Sequence, residues 1–310
     1  MNILLTGANG FLGSRLAKAL QSKQDMSLVA AVRRRVEVPA SHIVEVQGLY
    51  DDTDWSTALT NQHVVVHAAA RAHVTKDEAA DPLAEYRRVN VDGTLNLARQ
   101  AAAAGVKRFI FLSSIGVNGN SNANPFTEED TPNPAEPYAQ SKWEAEKGLW
   151  EVQLETGMEL VIIRPPLVYG PNAPGNFGSL MRWVEKGVPL PLGAIHNKRS
   201  LVAVDNLVDL IMTCIDHPAA SNQVFLAGDG QCLSTTELLR GVSRAMNKPS
   251  RLVPVPSSLL EQAAALLGKK ALAQRLLGSL QVDISKAHDL LGWEPPISVD
   301  EGLRRCVIKD

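Results

Sequence analysis

Six short runs constrain this chain most, because each is apolar throughout rather than at alternate positions. They are Ile3-Leu4-Leu5, Leu28 to Val32, Val64-Val65-Val66, Phe109-Ile110-Phe111, Val161-Ile162-Ile163 and Val224-Phe225-Leu226. A strand with one face in water alternates; a strand apolar at every position is covered on both faces, as in a parallel sheet. Segments of helical spacing lie between the runs. Leu12, Leu16, Ala19 and Leu20 form one stripe, and Val91, Leu95, Leu97 and Ala98 lie in another segment poor in Gly and Pro. This alternation predicts an α/β fold with a doubly wound parallel sheet.

With 310 residues the chain is long enough for about two units. Its texture changes after Tyr169-Gly170-Pro171: the stretch to Gly193 is rich in Gly, Pro and Asn, and Leu233 to Leu280 reads as several helices. The expected division is a sheet domain over 1–170, with a return segment at about 201–227, and a smaller, interleaved, mainly helical cap within 171–310. A net charge of −2 provides no field to recruit nucleic acid or an anionic membrane. Cys214, Cys232 and Cys306 are odd in number and widely spaced. They predict neither a disulfide framework nor a metal site but free, buried thiols in a reducing cytoplasm. His63, His67, His73 and His288 have no metal-like or triad spacing, and Trp143, Trp150, Trp183 and Trp293 read as core or cap anchors. No run is long enough to span a bilayer, and the opening MNILLTGANG lacks the features of a signal peptide.

The first strand runs into Thr6-Gly7-Ala8-Asn9-Gly10-Phe11-Leu12-Gly13, which opens a helix. Glycines there permit a tight turn, close approach to a pyrophosphate and close packing of helix on strand, while the helix N-terminus offers free N–H groups to phosphate. Gly7, Asn9, Gly10, Phe11, Leu12 and Gly13 are therefore candidate dinucleotide contacts. The second strand ends Val32-Arg33-Arg34-Arg35, without the acid that commonly binds an NAD ribose about twenty residues past the glycines. An arginine can instead hold a 2′-phosphate. This favours NADP(H), through Arg33 first and Arg34 next, with NAD(H) possible; a solvated basic loop is the plainer alternative.

Pro137-Tyr138-Ala139-Gln140-Ser141-Lys142 begins a helical stretch that places Tyr138 and Lys142 on one face. A nearby ammonium favours the phenolate and is expected to draw the tyrosine's pKa toward the working range. Upstream, Ser113 and Ser114 end an apolar strand, where a hydroxyl can polarise a carbonyl.

These pieces resemble the extended short-chain dehydrogenases/reductases of the NAD-dependent epimerase/dehydratase group, which have a Rossmann-type sheet. The similarity includes Gly7-x-x-Gly10-x-x-Gly13, His67-Ala68-Ala69-Ala70, Val89 to Thr94, Ser113-Ser114-Ile115-Gly116-Val117-Asn118-Gly119, Tyr138-x-x-x-Lys142, Arg164 to Pro171 and Leu291 to Pro295. It implies Ser114, Tyr138 and Lys142 as catalytic residues, and Ala68, Ala69, Ala70, Asn90, Tyr138, Lys142 and Pro165 as further cofactor contacts. Asn118 stands where that group usually has Tyr, a departure expected to affect local packing or sugar contacts. Gln47-Gly48-Leu49 lacks the Asp usual beside adenine.

The resemblance also suggests a reaction. A 4,6-dehydratase needs an Asp-Glu pair after the active-site hydroxyl, and this chain has Ile115-Gly116. Lys198 to Asp205, Gly175-Asn176-Phe177 and Pro189 to Leu192 resemble pieces that hold a UDP-sugar, with Asn176, Leu192 and Arg199, beside Ser114, as substrate contacts. The expectation is an NADPH-dependent 4-ketoreductase of a UDP-4-keto-6-deoxy-N-acetylhexosamine in surface polysaccharide (O-antigen) synthesis. The alternatives are a UDP-hexose(amine) 4-epimerase with tightly bound NAD, a small-molecule carbonyl reductase, and a non-catalytic NADP sensor or scaffold. Relatives imply a homodimer joined by the helices at Asn90 to Ala104 and Tyr138 to Trp150.

Overall fold

A computed structural model describes residues 1–72 and 81–308; His73 lies outside them. Seven strands form one wholly parallel sheet: β1 (Asn2–Thr6), β2 (Ser27–Val32), β3 (His42–Glu45), β4 (Val64–His67), β5 (Arg108–Leu112), β6 (Glu159–Arg164) and β9 (Gln223–Leu226). Their order is β3-β2-β1-β4-β5-β6-β9, so the winding reverses between β1 and β4. At such a switch point a crevice opens beyond the strand C-termini.

The wholly apolar runs behave as their composition requires. Ile3, Leu5, Ile110, Val161 and Ile163 pack with Leu16 and Leu20 of the first helix (Phe11–Gln21) and with Leu207 and Ile211 of the helix Val204–Asp216. Leu4, Val65, Phe109, Phe111 and Ile162 face the other way, onto Leu97 of Gly93–Ala103 and Leu149 and Val152 of Pro137–Thr156. Each run is split residue by residue between two buried faces, which is why it does not alternate.

Three further strands form a separate small sheet: β7 (Leu167–Tyr169) parallel to β8 (Arg199–Ala203), which is antiparallel to β10 (Cys232–Leu233). Beside it a third cluster joins Phe177, Leu180, Val184, Leu192, Leu239, Val242 and Leu303 around Tyr169. The stretch before Gly193, rich in turn-forming residues, contains a helix over Gly175–Glu185, and Leu233 to Leu280 holds helices at Thr235–Ala245, Ser257–Leu266 and Lys270–Leu277.

The thiol expectation needs one correction and the aromatic one an addition. Trp293 is buried and donates to Asp209 at 2.8 Å, and Trp150 and Trp183 pack at the edges of cores, but the most buried tryptophan is Trp55, which carries no sequence signal of its own. Cys214 is buried and Cys306 half-buried, while Cys232 is exposed, because its two-residue strand lies at a sheet edge. Among the described residues, no helix is long and apolar enough to cross a membrane, and no group of three or more His, Cys, Asp or Glu could hold a metal.

Candidate active site

The glycine loop is built for close approach. Gly7 has φ +75°, and a Cβ on it would stand 2.8 Å from the Ala69 nitrogen. A Cβ on Gly13 would stand 2.0 Å from the Gly7 carbonyl oxygen, so the first helix can lie this close to β1 only without that side chain. Gly10 N–H donates back to Gly7 O at 2.9 Å. Asn9 and Gly10 remain exposed at the helix N-terminus. Phe11 packs toward the cap core, and the bare Gly170 beside it makes room for Val204. A cradle of backbone with no side chain in it, at the switch point and at the positive end of a helix, fits a dinucleotide pyrophosphate.

Behind this loop Thr6 accepts from Ala69 N–H at 3.2 Å and meets His67 Nδ1 at 2.8 Å; His67 Nε2 meets Thr94 at 3.0 Å. His67 is fully buried and stacks on Phe111. It is a brace between β1, β4 and the helix Gly93–Ala103. Burial, helped by the Lys142 charge, pushes it down to about 3. An unfolded histidine binds its proton near 6.5 and this one refuses it, so the stability it confers is present above that value and lost as pH falls toward 3. Urea unfolding at pH 5 should show about 2 kcal/mol less stability from this residue than at pH 7.5, and His67→Gln should lack that part of the slope.

The helix Pro137–Thr156 carries the second constellation. Pro137 occupies its first turn, where a missing N–H costs nothing. Lys142 is buried; its Nζ donates to the Leu112 carbonyl at 2.7 Å, at the end of β5, and lies 4.3 Å from the Phe111 ring centroid. Tyr138, half-buried, meets the Tyr86 ring edge-on at 6.0 Å. Desolvation, reinforced by Tyr86, raises its phenol to about 12, and burial lowers Lys142 to about 7. This corrects the expected drop in the tyrosine: burial, with Tyr86 beside it, moves the phenol up instead.

The two serines divide the work. Ser113 is buried and donates to Glu146, so its proton is engaged. Ser114 is half-buried and accepts from Gly116 N–H at 3.1 Å, which leaves its own proton to give. A Cβ on Gly116 would lie 3.0 Å from Ala139 Cβ and 3.3 Å from Ser114 Oγ, so this bare position seats the serine turn against the residue after Tyr138. Ile115 N–H donates to the Pro165 carbonyl at 3.0 Å, steadying the same turn.

Other expected contacts have different surroundings. Asn90 is buried in a π-helical turn (Arg88–Asp92); it accepts from Arg71 N–H and donates to Arg71 O and Ser141 Oγ, so its amide braces the Tyr138–Lys142 helix. Asn118 accepts from Arg164 and donates to the Thr127 carbonyl, the local packing role among those expected. Arg33 and Arg34 are exposed just beyond β2, whose Ala31 pairs with Thr6 beside the glycine loop. Ala68 and Ala70 flank Ala69 and are half-buried, as is Leu12. In the cap, Asn176 is exposed near the start of its helix. Leu192 is buried in the cap core rather than forming an open wall. Arg199 opens β8, half-buried, with Nη1 donating to Gly278 O at 3.1 Å. Sequence reading passed over Glu146, although an acid one turn past Lys142 on a buried face is a legible signal.

The chain is a Rossmann-type α/β protein with a glycine-lined loop at the switch point of its sheet and Ser114 and Lys142 at the C-terminal end of β5. The profile described as the NAD dependent epimerase/dehydratase family matches residues 3–228, and the chain belongs to that family. It is 50% identical over 307 residues to a UDP-glucose 4-epimerase of Vibrio cholerae, spanning 98% of this chain and 94% of that one. It is 30% identical over 325 residues to an N-acetyl-alpha-D-glucosaminyl-diphospho-ditrans,octacis-undecaprenol 4-epimerase of Escherichia coli O157:H7, spanning 99% and 94%. The crystal structure of a UDP-glucose 4-epimerase from Thermotoga maritima with UDP-glucose superposes with a TM-score of 0.79 at 25% identity, covering 99% of this chain and 97% of that one.

Proposed function

We propose that the protein is a UDP-hexose 4-epimerase that works with NAD held in the glycine cradle. This replaces the 4-ketoreductase expected from sequence as the first reading, because the half-identical relative is a 4-epimerase. The observation that supports the reading is Lys142 Nζ on the Leu112 carbonyl at the end of β5, with Ser114 two residues on and its turn seated through Gly116 against Ala139, the residue after Tyr138. When bound, NAD supplies a hydride acceptor and donor for C4 of the sugar. Tyr138 moves the C4 hydroxyl proton, Ser114 donates to the same oxygen, and Lys142 supplies the positive charge that makes the phenol a usable base. Arg199, whose guanidinium is desolvated, faces the diphosphate, with Asn176 at the cap side. A homodimer through Gly93–Ala103 and Pro137–Thr156 is part of this proposal.

A second reading, net reduction of a UDP-4-keto sugar by NADPH, is favoured by one observation: β2 is followed by exposed arginines where an acid would otherwise take the ribose. One experiment separates the two. Protein denatured as purified should release close to one NAD per chain and interconvert UDP-glucose and UDP-galactose with no net change in NADH absorbance. Cofactor-free protein that oxidises NADPH only with a UDP-4-keto sugar would reject the epimerase in favour of the reductase.

A further inference from the structure

Glu146 lies one helical turn beyond Lys142 and is completely buried. A buried carboxylate is tolerable only when well partnered, and this one is. Ser113 Oγ donates to Oε1, Arg164 Nε lies 3.0 and 3.2 Å from the two oxygens, and Arg164 Nη2 donates to Oε2 at 2.5 Å. Arg164 is itself buried, and its Nη1 donates to Asn118 at 3.0 Å. Ser113 follows β5 and Arg164 ends β6. One carboxylate thus ties the Tyr138–Lys142 helix to the C-terminal ends of two central strands, next to the Leu112 carbonyl that takes Lys142 Nζ.

We propose that Glu146 is a positioning residue for the Tyr138–Lys142 pair: it fixes their helix against β5 and β6 and sets a negative charge one turn from Lys142. Among the described residues, the groups around Lys142 leave the supply of negative charge to Glu146. On its own helix Tyr138 is a neutral phenol; across β5 His67 is a neutral imidazole, and Ser113 is uncharged. Tyr86, on the helix Pro82–Arg87, reaches the site through Tyr138. From β6 comes Arg164, whose guanidinium is paired with Glu146. Burial pushes Lys142 down while Glu146 opposes it, so removing the carboxylate strips that support. The inference rests on the proposed function in needing a cationic Lys142 for turnover.

The test titrates Lys142 directly by NMR of 13Cε-lysine-labelled protein, with Lys142→Met identifying its resonance, beside kcat and KM for UDP-glucose across pH. Glu146→Gln should lower the Lys142 midpoint by about one pH unit, move the alkaline limb of kcat down equally, and cut kcat at pH 8 about tenfold with KM unchanged. Glu146→Asp, which keeps the charge, should hold the midpoint near wild type while losing part of kcat. Identical midpoints and kcat in wild type and Glu146→Gln would overturn the proposal. Should Glu146→Gln not fold, Ser113→Ala decides: it removes one bond and leaves the ion pair, and kcat should fall about threefold at constant KM; an unchanged kcat overturns the positioning role. Wild type inactive on every UDP-sugar would reject the functional reading instead, and the NMR comparison would still decide this one.

Discussion

Tyr138→Phe is expected to lower kcat/KM by about 10²- to 10⁴-fold while leaving the melting temperature and the bound dinucleotide unchanged. The ring is retained, so its edge-on packing against Tyr86 at 6.0 Å survives. Among the described residues, no hydrogen bond to the phenol oxygen is present that the substitution would break. The lost atom is the one proposed to carry the proton of the C4 hydroxyl. With its phenol at about 12, Tyr138 is fully protonated through the neutral range, so it starts as an acid and becomes a base only when positive charge is held beside it. Lys142, at about 7, loses that charge as pH rises. Activity should therefore decline on the alkaline side through deprotonation of Lys142 and not through ionisation of the tyrosine. A Tyr138→Phe enzyme within tenfold of wild type would remove the phenol from the chemistry.

The main sheet was legible because its signal is local. Ile3-Leu4-Leu5 or Phe109-Ile110-Phe111 declares two covered faces within three residues, and both faces are found. The strands that escaped are those whose environment is not written into three residues. β3 is an edge strand with exposed His42 and Glu45, and β10 is two residues long. The Tyr138–Lys142 spacing and the glycines were legible for the same local reason. What remained hidden was set by tertiary contact: Ser113 is joined to Glu146 across 33 residues, Asn90 to Ser141 across 51, and Arg164 to Asn118 across 46. Charge state was hidden too, because spacing brings an ammonium near a phenol but says nothing of how much water either has lost. The direction of the tyrosine's shift followed from burial, which only the fold supplies.

Gly13→Ala should abolish dinucleotide retention and destabilise the protein by about 1–3 kcal/mol, the cost of forcing volume into a filled contact. The added Cβ would stand 2.0 Å from the Gly7 carbonyl oxygen and 2.7 Å from its carbon. Neither partner can yield cheaply. The Gly7 carbonyl accepts the Gly10 N–H at 2.9 Å, and Gly7 is itself pressed against Ala69, where even its own missing Cβ would find only 2.8 Å. Relief has to come from lifting the start of the Phe11–Gln21 helix away from β1, which moves the N–H groups proposed to face the pyrophosphate. Gly157→Ala is the matched control. It also sits at positive φ, +72°, but a Cβ there meets nothing within 4 Å, so it should cost about 1 kcal/mol of backbone strain and leave cofactor content intact. Equal losses of stability with equal cofactor retention in the two variants would mean that the loop is an ordinary strand-to-helix turn. Loss of NAD from Gly13→Ala alone would tie binding to the close approach of helix and strand.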